Sequence, residues 1–141
     1  MGAVEVEDLP DQALVLLDSA PVIYFLEAHP KFAARFAPLF EAHAAGRILF
    51  AATTITLCEV LTGPQKAGNA SLVRRYRTVF DTWRLVELDA DIAESAALLR
   101  AMLGLKLPDA VQVASALAIN ADALATHDRD FSRVSSLRIL T

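Results

Sequence analysis

Apolar positions along this chain fall into two recurring patterns, short continuous runs and longer stretches with helical spacing. Residues 13–17 (ALVLL) form a run of strand length. Asp18 and Ser19 interrupt it. The apolar segment that follows carries Pro21 near its start, where the first turn of a helix tolerates a missing N–H, and His29-Pro30 ends that helix. Over 31–45, Phe32, Phe36, Leu39, Phe40 and His43 share one helical face, and Gly46 supplies a C-terminal cap. Residues 47–51 read as a second strand, 55–62 as a helix stopped by Gly63-Pro64, and GPQKAGN as a loop. A helix over 70–82 precedes a third strand at 85–88. Ile92, Ala96, Leu99 and Leu103 line one face of a helix over 90–103, which Gly104 caps. Pro108 opens a further helix to about Ile119, and 123–126 and 137–140 are the last two strand candidates.

Strands alternating with helices predict parallel pairing, with a helix layer on each face of the sheet and the functional crevice at the carboxyl ends of the strands. The 141 residues suit one domain over 13–141, and no internal repeat or linker divides them. With 55% hydrophobic and 21% charged residues, the composition is that of a folded globule. The acidic start, 1–12, reads as a tail or weakly ordered lead-in. It has no basic flank before an apolar core, so it does not read as a secretory signal. No apolar stretch is long enough to cross a bilayer. The expected location is cytoplasmic. Cys58 is the single cysteine, which excludes a disulfide framework and a thiolate zinc site. With no base partner in view it reads as a packed core thiol.

Four acids stand at positions where such a sheet places chemistry. Asp18 follows the first strand, Glu59 lies one turn into the helix after the second, Asp109 opens the helix leading into the fourth, and Asp128 follows the fourth. Each has a plain local role. Asp18 suits an N-cap, Glu59 completes a capping box with Thr56, Asp109 favours the positive end of a helix dipole, and Asp128 suits an Asx turn. Their conjunction points further. Carboxylates gathered in one crevice repel unless cations are present, and hard oxygen ligands suit Mg²⁺ or Mn²⁺. Such a metal acidifies bound water and stabilises charge on a phosphoryl oxygen, the chemistry of phosphodiester hydrolysis. The net charge of −4 disfavours a non-specific nucleic-acid binder, yet it is matched by four acids set aside for a metal.

The segments carrying these acids, LDSAPVIYFLE at 17–27, TITLCEVLTG at 54–63, GLKLPDAVQVASAL at 104–117 and THDRDF at 126–131, resemble in order the four motifs of PIN domains. The similarity runs from about residue 13 to the end and is strongest to VapC-type toxins of bacterial toxin–antitoxin pairs. The resemblance implies a three-layer α/β fold with a central parallel sheet, Mg²⁺- or Mn²⁺-dependent endoribonuclease activity leaving a 5′-phosphate, a homodimer, and inhibition by a cognate antitoxin. It assigns Asp18, Glu59, Asp109 and Asp128 as catalytic metal ligands. Ser19 and Thr126 become orienting partners, and Asp130 an alternate or assistant to Asp128.

Other chemistry-bearing residues have plainer readings. His29, His43 and His127 lack metal-ligand spacing. His43 reads as surface or half-buried, and His127, though nearer the acids, reads first as a loop residue, with contact to a phosphate as the lesser alternative. Arg74, Arg75, Arg77 and Arg84 read as a solvated face, with an RNA path as the alternative. Tyr24, Phe25, Trp83, Phe32, Phe36 and Phe40 read as core or dimer contacts, and the helix over 31–45 with its neighbour offers an apolar groove for an antitoxin. The competing functions are a PIN nuclease of RNA processing or decay without an antitoxin, and a catalytically inactive RNA- or protein-binding PIN module. A receiver domain would carry a Lys after its last strands, and an Asp-x-Asp phosphatase would need an acid where Ala20 stands.

Overall fold

The computed structural model describes residues 2–141. Five strands, β1 (Ala13–Leu17), β2 (Ile48–Thr53), β3 (Arg84–Val86), β4 (Ala123–Ala125) and β5 (Arg138–Leu140), form one sheet in the order β3-β2-β1-β4-β5. Every pairing is parallel, with Val15 opposite both Phe50 and Ala123 in the central register. The helices are α1 (Ser19–Leu26), α2 (Ala33–Ala44), α3 (Thr54–Lys66), α4 (Ala70–Phe80), α5 (Ala90–Leu103) and α6 (Leu107–Ala118), with a short 3₁₀ turn at Arg129–Arg133.

Alternation along β1 divides the interior. Ala13, Val15 and Leu17 face a core shared with α1–α4, whereas Leu14 and Leu16 face one built with α5 and α6. Val15, Leu16 and Leu17 are fully buried, each contributing roughly 1.5–3 kcal/mol of hydrophobic stabilisation. That burial on both faces is why β1 is a continuous apolar run. The result is the expected three-layer α/β arrangement.

Connections through α1–α2 and α3–α4 carry the chain outward from β1 to β2 and β3. The α5–α6 connection then returns it to the other side of β1, where β4 pairs. Strand order therefore reverses between β1 and β4, and the carboxyl ends of these two strands flank the crevice that such a reversal opens.

Three local expectations change. Gly63-Pro64 does not stop α3, which continues to Lys66 and turns at Gly68, whose φ of +64° suits glycine. Pro64 removes a single bond near the helix end and is itself buried, which offsets that loss. Cys58 is exposed, since it lies on the outward face of α3. Residues 2–12, expected as a tail, hold no helix or strand, and their apolar side chains pack against the domain. Val4, Val6 and Leu9 are buried in the α1–α4 core. Arg47 Nη2 donates to the carbonyls of Val6, Glu7 and Leu9 at 2.8–3.0 Å.

Candidate metal centre

Asp18 is the hub of the crevice. It is the N-cap of α1, and its Oδ1 accepts from Ser19 N at 2.9 Å, so the capping role is realised. The same carboxylate is held by two further donors. Gln112 Nε2 reaches Oδ1 at 3.0 Å and Thr126 Oγ1 donates to Oδ2 at 2.8 Å. Behind it lies a buried polar network. Gln112 Nε2 also donates to Thr56 Oγ1 at 2.7 Å, Gln112 Oε1 accepts from Thr53 Oγ1 at 2.9 Å, and Thr56 Oγ1 donates to the Leu17 carbonyl at 3.3 Å. Thr53, Thr56, Gln112 and Thr126 are each almost fully buried. With partners for each, the network is rigid and fixes the carboxylate orientation.

Thr53 is the N-cap of α3, accepting from Thr56 N at 3.2 Å. The capping box expected between Thr56 and Glu59 therefore does not form, because β2 runs on to Thr53 and the helix begins earlier than its spacing suggests. Glu59 lies further along α3 and is released from that local role. Burial, and then the Asp18 charge, push its carboxyl above the ordinary range, while a hydrogen bond from the Ser19 side chain pulls it back.

Asp109 sits in the first turn of α6, whose N-cap residue Lys106 makes no side-chain cap. Its Oδ2 is buried without a hydrogen-bond partner. Burial and the charges of Asp128, Asp18 and Asp130 push its carboxyl up to about 6, with Lys106 opposing them. Asp128 Oδ1 accepts from Asp130 N at 2.8 Å, and Asp128 N donates to Thr126 Oγ1 at 3.0 Å. These bonds wind the loop after β4 so that Asp128 and Asp130 both turn toward Asp109. One carboxylate oxygen from each of Asp109, Asp128 and Asp130 lies within 4.8 Å of the others.

The geometry thus brings Asp130 into the tight set alongside Asp128. Asp18 and Glu59 border that set electrostatically without sharing its spacing. The donor set is all oxygen, and the orphaned Asp109 Oδ2 is an acceptor that a cation would satisfy, so the residues fit a hard divalent ion. Lys106 reaches Asp130 only at 3.9 Å with both side chains well exposed, a pair that competes weakly for that carboxylate. A cleft of about 530 Å³ along β3 and α5 contains none of these acids.

Gln112, Thr53 and Thr56 were not legible as site residues. Gln112 lies one turn after Asp109, and a lone amide within Val111-Gln112-Val113-Ala114 was the available signal. His43 stacks on Phe50 at 4.2 Å and is half-buried. Arg74, Arg75, Arg77 and Arg84 are exposed, and Arg77 pairs with Asp81. Phe36 and Phe40 are core, whereas Phe25 is exposed and Phe32 is half-buried.

A parallel five-stranded sheet flanked by helices, with a carboxylate cluster at its strand-order reversal, places the chain among the three-layer α/β proteins. Within that class the PIN-domain family model matches residues 15–137, and the chain belongs to the PIN-domain family. A toxin–antitoxin complex from Klebsiella pneumoniae contains a chain 26% identical, with a TM-score of 0.70 over 90% of this chain and 96% of that one. VapBC2 from Rickettsia felis, bound to a DNA fragment from its promoter, gives 20% identity and a TM-score of 0.70 over 89% and 96%. VapC20 from Mycobacterium tuberculosis, a toxin that cleaves the sarcin–ricin loop, gives 13% identity and 0.69 over 90% and 99%. A search of curated protein sequences returns no match. No helix among the described residues is long and apolar enough to cross a membrane.

Proposed function

We propose that this protein is the endoribonuclease toxin of a type II toxin–antitoxin pair, hydrolysing RNA phosphodiester bonds with Mg²⁺ or Mn²⁺. The observation that carries the reading is the convergence of Asp109, Asp128 and Asp130 oxygens within 4.8 Å beside an Asp18 held by Gln112 and Thr126. Asp109, Asp128 and Asp130 would hold the ion, with Asp18 and Glu59 completing the anionic wall. A divalent cation there supplies positive charge to the phosphoryl oxygens and acidity to a water. The chain's own part is orientation. Thr126 ties Asp18 to the Asp128 loop, and Gln112 ties Asp18 to α3 and α6, so the carboxylates need little rearrangement on loading.

An antitoxin partner is supported by the Klebsiella complex and by an apolar groove of about 470 Å³ between α1 and α2. Phe25 lies there, 47% exposed and stacked on Phe40 at 4.0 Å. A partner's amphipathic helix would cover it. A homodimer belongs to the same proposal, as does function in the cytoplasm.

The test is cleavage of a pool of structured RNAs by purified, partner-free protein with Mg²⁺, Mn²⁺ or EDTA, beside Asp109→Asn. Discrete fragments that require metal and vanish in a folded Asp109→Asn variant are expected. Folded wild-type protein that cuts no RNA with either metal would overturn the reading.

A further inference from the structure

Along the loop after β4 the side chains alternate. Asp128 and Asp130 join the acidic cluster, while His127 and Arg129 line a separate cleft of about 490 Å³ with Lys31, Phe32 and Arg35. Three cations thus gather in one cleft of a chain whose net charge is −4. Among the described residues none of the three takes part in a salt bridge. Arg35 makes only a 3.5 Å contact to the Gly2 carbonyl, and its Nε is buried without a partner. The cleft's cationic groups are thus left without anionic partners in the fold.

The cleft has an aromatic floor. The Phe32 ring meets His127 edge-on at 4.7 Å and stacks with His29 at 5.0 Å. His127 is fixed by a 2.8 Å hydrogen bond between its Nδ1 and the Tyr24 hydroxyl, and Lys31 Nζ stands 5.2 Å from the Phe32 centroid. Fixed aromatic surface bordered by guanidinium and ammonium groups is the chemistry that binds single-stranded nucleic acid, with bases stacking and phosphates pairing with cations. The volume is that of a small-ligand site.

We propose that this cleft is a nucleotide subsite. It would hold the phosphate and base of a single-stranded RNA residue flanking the bond presented to the acidic cluster, with Phe32 as the stacking surface and Lys31, Arg35 and Arg129 on the phosphate. The inference rests on the nuclease reading above and deepens it, since one loop places alternate residues in the two sites and so sets their register. The aromatic floor favours a nucleotide over an acidic peptide, which would use the cations alone.

The test is anisotropy of a short fluorescein-labelled single-stranded RNA with the full chain in Ca²⁺, titrated over a range of salt. The variants are Lys31→Gln/Arg129→Gln, Phe32→Leu, Phe32→Tyr and, as a control, Arg74→Gln/Arg75→Gln. Loss of the two cations should weaken binding and flatten the log–log salt slope by about 0.7 per phosphate contact removed. Phe32→Leu should weaken binding about fivefold with the slope unchanged, and Phe32→Tyr should restore it. The control should change neither quantity. Wild-type affinity and slope in the cation variant would overturn the subsite while leaving the nuclease reading intact. Displacement of RNA by poly-glutamate at matched charge, or indifference to Phe32→Leu, would overturn the nucleotide and leave a general anion patch. A wild-type protein that neither binds nor cuts RNA would overturn both readings together.

Discussion

Removing the charge of Asp109 should stabilise the metal-free protein at neutral and alkaline pH. Its carboxyl is raised from 3.8 to about 6 by burial and by Asp128, Asp18 and Asp130. At about 1.36 kcal/mol per pK unit, the full shift sets a ceiling of about 3 kcal/mol on the cost of ionising it in the fold. The carboxylate is only half-buried, and solvent screening brings this to about 1.5 kcal/mol. Asparagine also gives up a favourable charge in the first turn of α6, about 0.5 kcal/mol. A net gain of about 1 kcal/mol corresponds to a Tm rise of about 3–4 °C in a domain of this size. The folded state holds the Asp109 proton up to about pH 6 and the unfolded chain only to about 3.8. Wild-type stability from this group is therefore fully present below about pH 4 and lost as pH rises through 6. Thermal unfolding in EDTA should show Asp109→Asn melting above wild type well above pH 6, with the difference vanishing toward pH 4. Excess Mg²⁺ should reverse the order, because a bound ion stabilises the chain that binds it. A variant that melts below wild type in EDTA at alkaline pH would refute the repulsion and make the carboxylate a structural group.

Thr126→Val keeps the shape but removes the donor to Asp18 Oδ2 and the acceptor of Asp128 N. A loss of about 2 kcal/mol is expected in urea unfolding, with metal affinity about 10–100-fold weaker in a Mg²⁺ titration of Tm. Gln112→Leu leaves Thr53 Oγ1 without its acceptor and removes the amide donor to Asp18 and Thr56, which should cost about 2–3 kcal/mol by the same assay. Arg47→Met removes three hydrogen bonds to the lead-in carbonyls, with an expected loss of about 2 kcal/mol. Limited proteolysis should then cut within 2–12 at a rate the wild type does not show.

The amino-acid sequence by itself determined the order and kind of the elements. Buried parallel strands need continuous apolar runs, helices need a stripe, and both periods are written in residues 13–17 and in 90–103 whatever the fold around them. It also placed Asp18 and Asp128 at the ends of strands, because a carboxylate cannot continue an apolar strand. What it left open depends on contacts between distant segments. Asp18, Asp109 and Asp128 each satisfied a local role on paper, and only the reversal of strand order between β1 and β4 made them neighbours. The cap of α3 moved from Thr56 to Thr53 because pairing with β1 and β3 extends β2, which freed Glu59. Gln112 looked like a stray amide in an apolar helix until Thr53, Thr56 and Asp18 converged on it. The lead-in reads from sequence as a tail because burial of Val4, Val6 and Leu9 depends on a surface that α2 and β2 build, and on an Arg47 some forty residues away. Local periodicity selects elements through short-range sterics and hydrophobic burial. Which polar groups meet depends on how the strands are ordered, and that is decided only when the layers pack.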